Sequence, residues 1–439
     1  MPPQLVFLTF FLGLIAGQNN VALQAGPEIK SIRLLLDGRE LAEISQPPWR
    51  TNVDLGPSII PAELVAAGYD AQGNEIARVA QTLNLPRPPA EFVIALQNDA
   101  QGTPIAATLR WEHLTAAKPV RSSLTVDKKS IRLDDKASAL LPRLDMSHPH
   151  LIAAEMSFDG GFRMRRELTV GGTISYTADT QLTAIGVRQL TVTPPAGSTD
   201  CFTSAGSPVR VAAVEDSPAL VIVVLDPDPR EAVRALSKTL NPVAFLNGGA
   251  AARHWVPLDR GTRTRLLWPI AKQYKMTSNA SALLFPPSKD VDAGDAGLVW
   301  LLTRKYAEPI DKSEPRRVAD AVGVAGLAAI TGANRRAVVL ALNRGEDRSM
   351  QGGASIRNYL ASIGVPLFVW SFTGARPELD DTWGVIDDVS SISKLERAGS
   401  RLRAELASQR VAWVAADPVA ALRIQPTGRC GITPMSAAP

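Results

Sequence analysis

The sequence predicts a multidomain chain in which two all-β sandwiches precede an α/β doubly wound domain. Three observations carry this. A hairpin signal, "SIRLLLDGRELAEI" at 31–44, opens the front third. A phrase of that front third recurs at an offset close to 90 residues. From about residue 217, short apolar strands alternate with stretches of helical periodicity. A chain of 439 residues exceeds one ordinary core, since domains commonly run to about 100–200 residues. Hydrophobic residues make up 45% and charged residues 21%, which excludes wholesale disorder.

The first residues, "MPPQLVFLTFFLGLIAGQNNVALQAG", contain an apolar run from Leu5 to Ala16. The run is too short to span a bilayer alone and matches the core of an export leader. Residues 1–25 are therefore expected to be a signal peptide, although no Lys or Arg precedes the run. An uncleaved anchor is the second reading and a buried strand the third. Export gives Cys201 and Cys430, the chain's two cysteines, a reason to pair. Such a bond closes a 229-residue loop and contributes roughly 4–5 kcal/mol by chain entropy. Two free buried thiols are the alternative.

Residues 26–88 read as the first sandwich. Asp37-Gly38 marks its hairpin turn, and "PPWRTNVDL", "AELVAAGYD" and "EIARVAQTLNL" follow as strands. Residues 90–172 read as a second copy, joined by the Pro-rich "LPRPPAEF". Asp37 maps to Asp127, Asp54 to Asp145, Pro61 to Pro149 and Asp70 to Asp159, at offsets of 88–91. Near-constant offsets are the mark of an internal repeat. Residues 173–215 read as a linker with some β structure.

Residues 216–424 read as the α/β domain, and 425–439 as a tail. "ALVIVVLD", "VAFLNGG", "TRLLWPI", "RRAVVLAL", "VPLFVWSF" and "RVAWVA" are its strands. "PREAVRALSKTL", "AGDAGLVWLLTRKY", "EPRRVADAVGVAGLAAI", "SIRNYLASIG" and "ISKLERAGSRLRAELASQ" are its helices. Apolar strands alternating with helices predict a mostly parallel sheet.

Three phrases of this last domain resemble the von Willebrand factor type A (VWA) fold. They are "VIVVLDPDPREAV", "VADAVGVAGLAAITGANRRAVVLALNRGEDRS" and "IRNYLASIGVPLFVWSF". The front copies resemble bacterial Ig-like modules, through "DGRELAEISQPPWRTNVDLG" and "LVAAGYDAQGNEIA". The combination is similar to exported bacterial VWA-related proteins. The resemblance implies a metal-ion-dependent adhesion site built from an Asp, two hydroxyls at steps of two, a Thr and a second Asp. Hard oxygen ligands in that number suit Mg²⁺. Here the first Asp is Asp226, the hydroxyl positions hold Asp228 and Arg230, and the family's Thr-Asp pair reads Asn343-Arg344. A guanidinium offers donors and never a lone pair. The expectation is a degenerate site without metal, in which Arg344 reaches Asp226 or Asp228 and neutralises it.

Other candidate ligands carry less. His148 and His150 in "SHPH" fall where the first copy has "IPAEL", so a proline turn explains them better than a metal. Asp290, Asp292 and Asp295 in "KDVDAGDAG" lack EF-hand spacing, with Leu301 at the twelfth position. The cluster "RMRR" at 163–166 reads as a solvated sheet face, and the net charge of +4 is scattered, so no nucleic-acid partner is expected. No G-x-S-x-G elbow, Walker A or H-E-x-x-H sequence occurs. "NGGAAARH", ending at His254, lacks a nucleophile at a recognisable spacing. "GVAGLAAITGA" lies in a helix before a strand, the reverse of a dinucleotide loop. The expectation is a non-enzymatic protein-binding or scaffolding protein of the bacterial envelope or extracellular space. No cofactor and no small-molecule substrate is expected. A metal-dependent adhesion domain with altered ligands, or an uncatalogued hydrolase, is the alternative.

Overall fold

The structure is a computed structural model. It describes residues 5–87, 90–99, 102–113, 117–158, 162–171, 182–189, 198–226, 258–270, 285, 290–292, 315–342 and 346–436. The chain divides into two compact units. The first comprises Met1–Ser58, Ala62–Asp179 and Lys275–Asn279, and the second comprises Ile59–Pro61, Thr180–Tyr274 and Ala280–Pro439.

The first unit holds two β-sandwiches of one topology. In the first, Leu5–Phe7, Gln18–Ala25 and Arg50–Asp54 form a three-stranded sheet, in that order. Its partner sheet runs Arg39–Ile44, Ser31–Leu36, Ala62–Tyr69, Glu75–Leu83. In the second, Ala90–Asn98, Pro104–His113 and Ser138–Leu140 form the three-stranded sheet. Lys129–Ile131, Arg121–Val126, His150–Ser157 and Arg163–Val170 form the four-stranded one. Each strand therefore has a counterpart at the same place in its sheet. Each sandwich closes over its own core, around Val21, Ile32, Leu34 and Leu64 in one and Phe92, Leu109, Leu124 and Ile152 in the other. Alternation explains the burial: in Ser31–Leu36 every second residue is buried, which leaves one face of the strand to the core.

The repeat extends to single hydrogen bonds. Asp37 N–H donates to Glu63 O and the Asp37 carboxylate accepts from Glu63 N–H, both at 2.9 Å. Asp127 makes the same pair with Leu151, again at 2.9 Å. Asp54 accepts from the N–H two residues on, at Gly56, and Asp145 does the same with Ser147. The hairpin turn needs two positive φ angles. Asp37 and Gly38 supply φ of 51° and 82°, and the second copy supplies them with Asp127 and Lys128, at 47° and 67°.

Residues 5–25, expected as a leader, are built into the first sandwich as its first two strands. Leu5 pairs with Ala25 and Phe7 with Leu23, while Phe11 and Ile15 are buried in the same core. This is the placement that the third reading, a buried strand, describes.

The second unit holds two six-stranded sheets. One runs Gln425–Pro426, Ser198–Ser204, Ser207–Glu215, Gln409–Val414, Thr183–Gln189, Ile432–Pro434, with every pair antiparallel. The stretches expected as linker and tail are thus strands of one sheet. The Cys201–Cys430 disulfide forms within it, beside the buried Phe202 and Val211. The other sheet runs Val291–Asp292, Arg263–Leu267, Ala219–Leu225, Arg335–Leu342, Leu367–Ser371, Ile386–Asp388. All its pairs are parallel except the one made by Val291–Asp292. Ala219–Leu225 is buried at every position, as its unbroken apolar sequence requires of a strand covered on both faces. The helix Ile392–Ser408 covers one face through Leu395, Ala398, Leu402 and Leu406, which recur every three or four residues.

The expected fold class is corrected by these observations. Among the described residues 48% are strand and 16% helix, so the chain is predominantly an all-β, multi-sheet protein. Two sandwiches stand as expected, but no α/β doubly wound domain is evident among the described residues. The physical reason is recruitment: segments flanking the supposed domain pair with Gln409–Val414 and enlarge the β content. The stretches "PREAVRALSKTL" and "AGDAGLVWLLTRKY", expected as helices, lie outside the described residues.

Candidate functional site

Parallel strands all end at the same side of a sheet, and the space beyond their carboxyl ends is where such sheets hold ligands. A cleft of about 380 Å³ lies there in the second unit, at the ends of Ala219–Leu225 and Arg335–Leu342. Its lining includes Asp226, Arg316, Asp347, Gly353, Arg376 and Trp383.

Asp226 is the residue after the strand end, and its N–H donates to Ala341 O at 3.2 Å. It is fully buried. A buried carboxylate demands a counter-charge, and the Arg316 guanidinium supplies it through a direct ion pair. Arg316 is held in place by its own backbone. It bridges Ile270, its carbonyl accepts from Arg348 N–H at 2.7 Å, and the next N–H, of Arg317, donates to Pro269 O at 2.7 Å.

The other acids of the region are consumed by local structure. Asp347 caps the helix Val318–Ala329, accepting from Val318 N–H at 2.8 Å and Ala319 N–H at 3.0 Å. Ser349 adds its hydroxyl to the same carboxylate at 2.6 Å. Asp320, in the first turn of that helix, accepts from Arg317 Nε at 2.6 Å, Met350 N–H at 3.0 Å and Gln351 N–H at 3.2 Å. These bonds fold the loop 346–352 back over the helix start.

A second helix, Gly353–Ser362, begins at the cleft with Gly352 as its N-cap and no side-chain cap. Glycine is required at 353, because a Cβ there would lie 2.5 Å from Thr382 Cγ2 and 3.1 Å from the Trp383 ring. Arg376 completes the wall. Its Nε donates to the exposed Glu378, while its Nη1 is buried and has no hydrogen-bond partner among the described residues. The described wall thus carries two guanidiniums and two carboxylates, and it contains no histidine or cysteine.

The predicted site residues are only partly brought together. Asp226 lies in the cleft, whereas Asp228, Arg230, Asn343 and Arg344 lie outside the described residues. The arginine seen on Asp226 is Arg316, ninety positions away in sequence. Among the described residues no group of three or more His, Cys, Asp or Glu is arranged to hold a metal. Asp290 forms a two-point pair with Arg265, at 2.6 and 3.1 Å, which holds its carboxyl below the usual range. Asp292 is in a strand, and Asp295 and His254 lie outside the described residues. His150 hydrogen-bonds Asp127 at 2.7 Å and His148 hydrogen-bonds Asp145 at 3.1 Å. Both histidines therefore tie turns of the second sandwich. Ser147 and His148 together hold the Asp145 carboxyl down at about 2. Arg316 and Arg376 escaped sequence reasoning, since neither lies in a motif or near Asp226 along the chain.

No family model and no curated protein matches the sequence. Solved structures resemble parts of it. Fibronectin(III)-like modules of Clostridium thermocellum CbhA match at 8% identity, covering 40% of this chain and 100% of theirs, with a TM-score of 0.16. The central fibronectin-III array of RIM-binding protein matches at 9% identity, covering 48% of this chain and 79% of its own, with a TM-score of 0.16. A Bacteroides ovatus protein, SGBP-B of a mixed-linkage glucan utilization locus, was solved with a mixed-linkage heptasaccharide. It matches at 13% identity over 47% of this chain and 57% of its own, with a TM-score of 0.15. TM-scores this low carry no argument about function. The described residues are mainly strand, 48% against 16% helix. The VWA resemblance and its degenerate adhesion site are accordingly withdrawn, and what stands is a predominantly β protein with two β-sandwiches and a disulfide.

Proposed function

We propose that the chain is a non-enzymatic binding or scaffolding protein that works outside the cytoplasm, in the cell envelope or beyond it. The observation that carries this reading is the duplicated sandwich, with matching strand order and matching turn hydrogen bonds in both copies. Tandem modules of one topology extend a surface without adding chemistry. The linker between them is tied down. Arg87 donates to both oxygens of Glu91, at 2.8 and 2.5 Å, and to Gln81 Oε1 at 3.0 Å and Thr82 O at 3.2 Å. The Cys201–Cys430 bond supports the location, because disulfides persist in oxidising compartments.

The test uses the full chain, immobilised and exposed to envelope and medium fractions, alongside a panel of chromogenic hydrolase substrates. Saturable retention of a partner, competed by the untagged chain and without turnover of any substrate, is the expected result. Turnover by the purified chain, or retention that free chain does not compete, overturns the proposal.

A further inference from the structure

The cleft at the carboxyl ends of the parallel strands contains more donor capacity than the protein uses, and its charges decide what fits. Arg316 is neutralised by Asp226, which is fully buried. Asp347 is occupied by two helix N–H groups and by Ser349. Arg376 remains. Its side chain is only 11% exposed, its partner Glu378 is 59% exposed and stands outside the described cleft lining, and its buried Nη1 donates to none of the described residues. The start of Gly353–Ser362, whose N-cap Gly352 has no side chain to cap it, adds a partial positive charge to the same lining. The lining also carries the apolar residues Val318, Leu342, Leu379 and Trp383.

From this juxtaposition we infer that the cleft binds a small monocarboxylate with an apolar body, held by Arg376 and the start of the helix Gly353–Ser362. A guanidinium fork matches a carboxylate oxygen pair. Among the described lining residues Arg376 is the one guanidinium that no buried acid answers, and one such group suits a single negative charge better than two. The volume of about 380 Å³ falls within the range of small-molecule sites. The inference departs from the expectation of no small-molecule ligand, and it stands or falls separately from the proposed binding or scaffolding role.

The experiment is saturation-transfer NMR on the full chain with benzoate as probe, benzyl alcohol as its neutral analogue and inorganic phosphate as competitor, at constant ionic strength. Benzoate is expected to give saturable transfer, and benzyl alcohol to bind at least about ten-fold more weakly. Arg376→Gln is expected to weaken benzoate about ten-fold or more. Glu378→Gln, which removes the competing negative charge beside Arg376, is expected to tighten it, and both variants should melt within a few degrees of the parent. Equal binding of the alcohol shows that charge is not read, and overturns the inference. So does undiminished benzoate affinity in Arg376→Gln, displacement of benzoate by phosphate at lower concentration than benzoate itself requires, or no transfer at all. Should Arg376→Gln fail to fold, unchanged or weaker binding in Glu378→Gln is by itself enough to overturn it.

Discussion

Converting Asp226 to Asn leaves the shape of the strand end almost unchanged and removes the charge that Arg316 answers. Asp226 has no exposure, and the Arg316 side chain is 18% exposed. Breaking a buried pair by deleting one partner costs about 3–5 kcal/mol, because the remaining charge is stranded. Arg316 retains some access to water, so Asp226→Asn is expected at the lower end, about 3 kcal/mol. Arg316→Met strands the fully buried carboxylate and is expected to cost at least as much. Together the two substitutions remove both charges, and the pair should cost no more than either single change. The coupling energy is then about 3 kcal/mol or more, the upper range for residues in direct contact. Urea unfolding followed by tryptophan fluorescence measures it, since Trp268, Trp370, Trp383 and Trp413 all belong to the second unit. With a slope of about 3 kcal/mol/M, the single substitutions shift the midpoint by about 1 M. Single costs below about 1 kcal/mol, or a double substitution whose cost is the sum of the two, refute the buried pair as the support of the cleft.

Three further outcomes follow from the same structure. Cys201→Ser with Cys430→Ser opens the 229-residue loop and should cost roughly 4–5 kcal/mol in the second unit, and a melting temperature unchanged by reductant would contradict it. Lys128 stands at φ of 67°, where the first copy has Gly38. Left-handed backbone costs a non-glycine residue about 1–2 kcal/mol, and glycine returns about 0.4–1 through the unfolded chain. Lys128→Gly should therefore stabilise the second sandwich by about 0.5–1 kcal/mol, and a loss of stability by differential calorimetry would refute it. His150 is raised above its ordinary value by its hydrogen bond to Asp127. A raised folded value means its stabilising contribution is complete below about pH 6.5 and is lost as pH climbs through the folded value. Proton NMR should find His150 titrating above 6.5, and Asp127→Asn should bring it back; a value at or below 6.5 in the parent chain contradicts the pairing.

The sandwiches were legible because their signals are local. A hairpin at Asp37-Gly38 needs positive φ at two adjacent positions, and the repeat at Asp127 restates it in a different sequence. The first two strands were not legible by the same route. Leu5 to Ala16 carries no alternation, so its composition resembles a leader more than a strand, and only the sandwich around it gives Leu5, Phe7 and Phe11 a core to enter. The second copy offered a signal: "PPAEFVIALQNDAQGTPIAATLRW" stands before its hairpin as residues 2–25 stand before the first. The apolar strands Ala219–Leu225, Arg335–Leu342 and Leu367–Ser371 were also visible as unbroken runs. Their grouping with a family was not justified by those runs, since any buried parallel strand reads the same way. Sheet membership is a long-range property. Nothing in "VRVAAVE" says that it pairs with Gln409–Val414, some two hundred residues further on.

The cleft shows the same division between need and provider. A carboxylate that ends a fully apolar strand needs a positive neighbour, and that need can be read from the sequence because the energetics of burial impose it. Which residue answers is decided by where the chain returns. Arg344 was the candidate because it follows the neighbouring strand, at a distance that sequence can measure. Arg316 reaches Asp226 because residues 269–270 and 316–317 are hydrogen-bonded side by side at the head of the helix Val318–Ala329. Asp347 then caps that helix, so the loop 346–352 is anchored by its acid to the segment that carries Arg316. One arginine closes the charge of the strand end, and the acid of the adjacent loop is spent on the helix. Arg376 is left as the cationic group of the described cleft wall whose charge no buried acid answers. The cleft's selectivity therefore rests on a residue contributed after the strand Leu367–Ser371, where the sequence offered no motif at all.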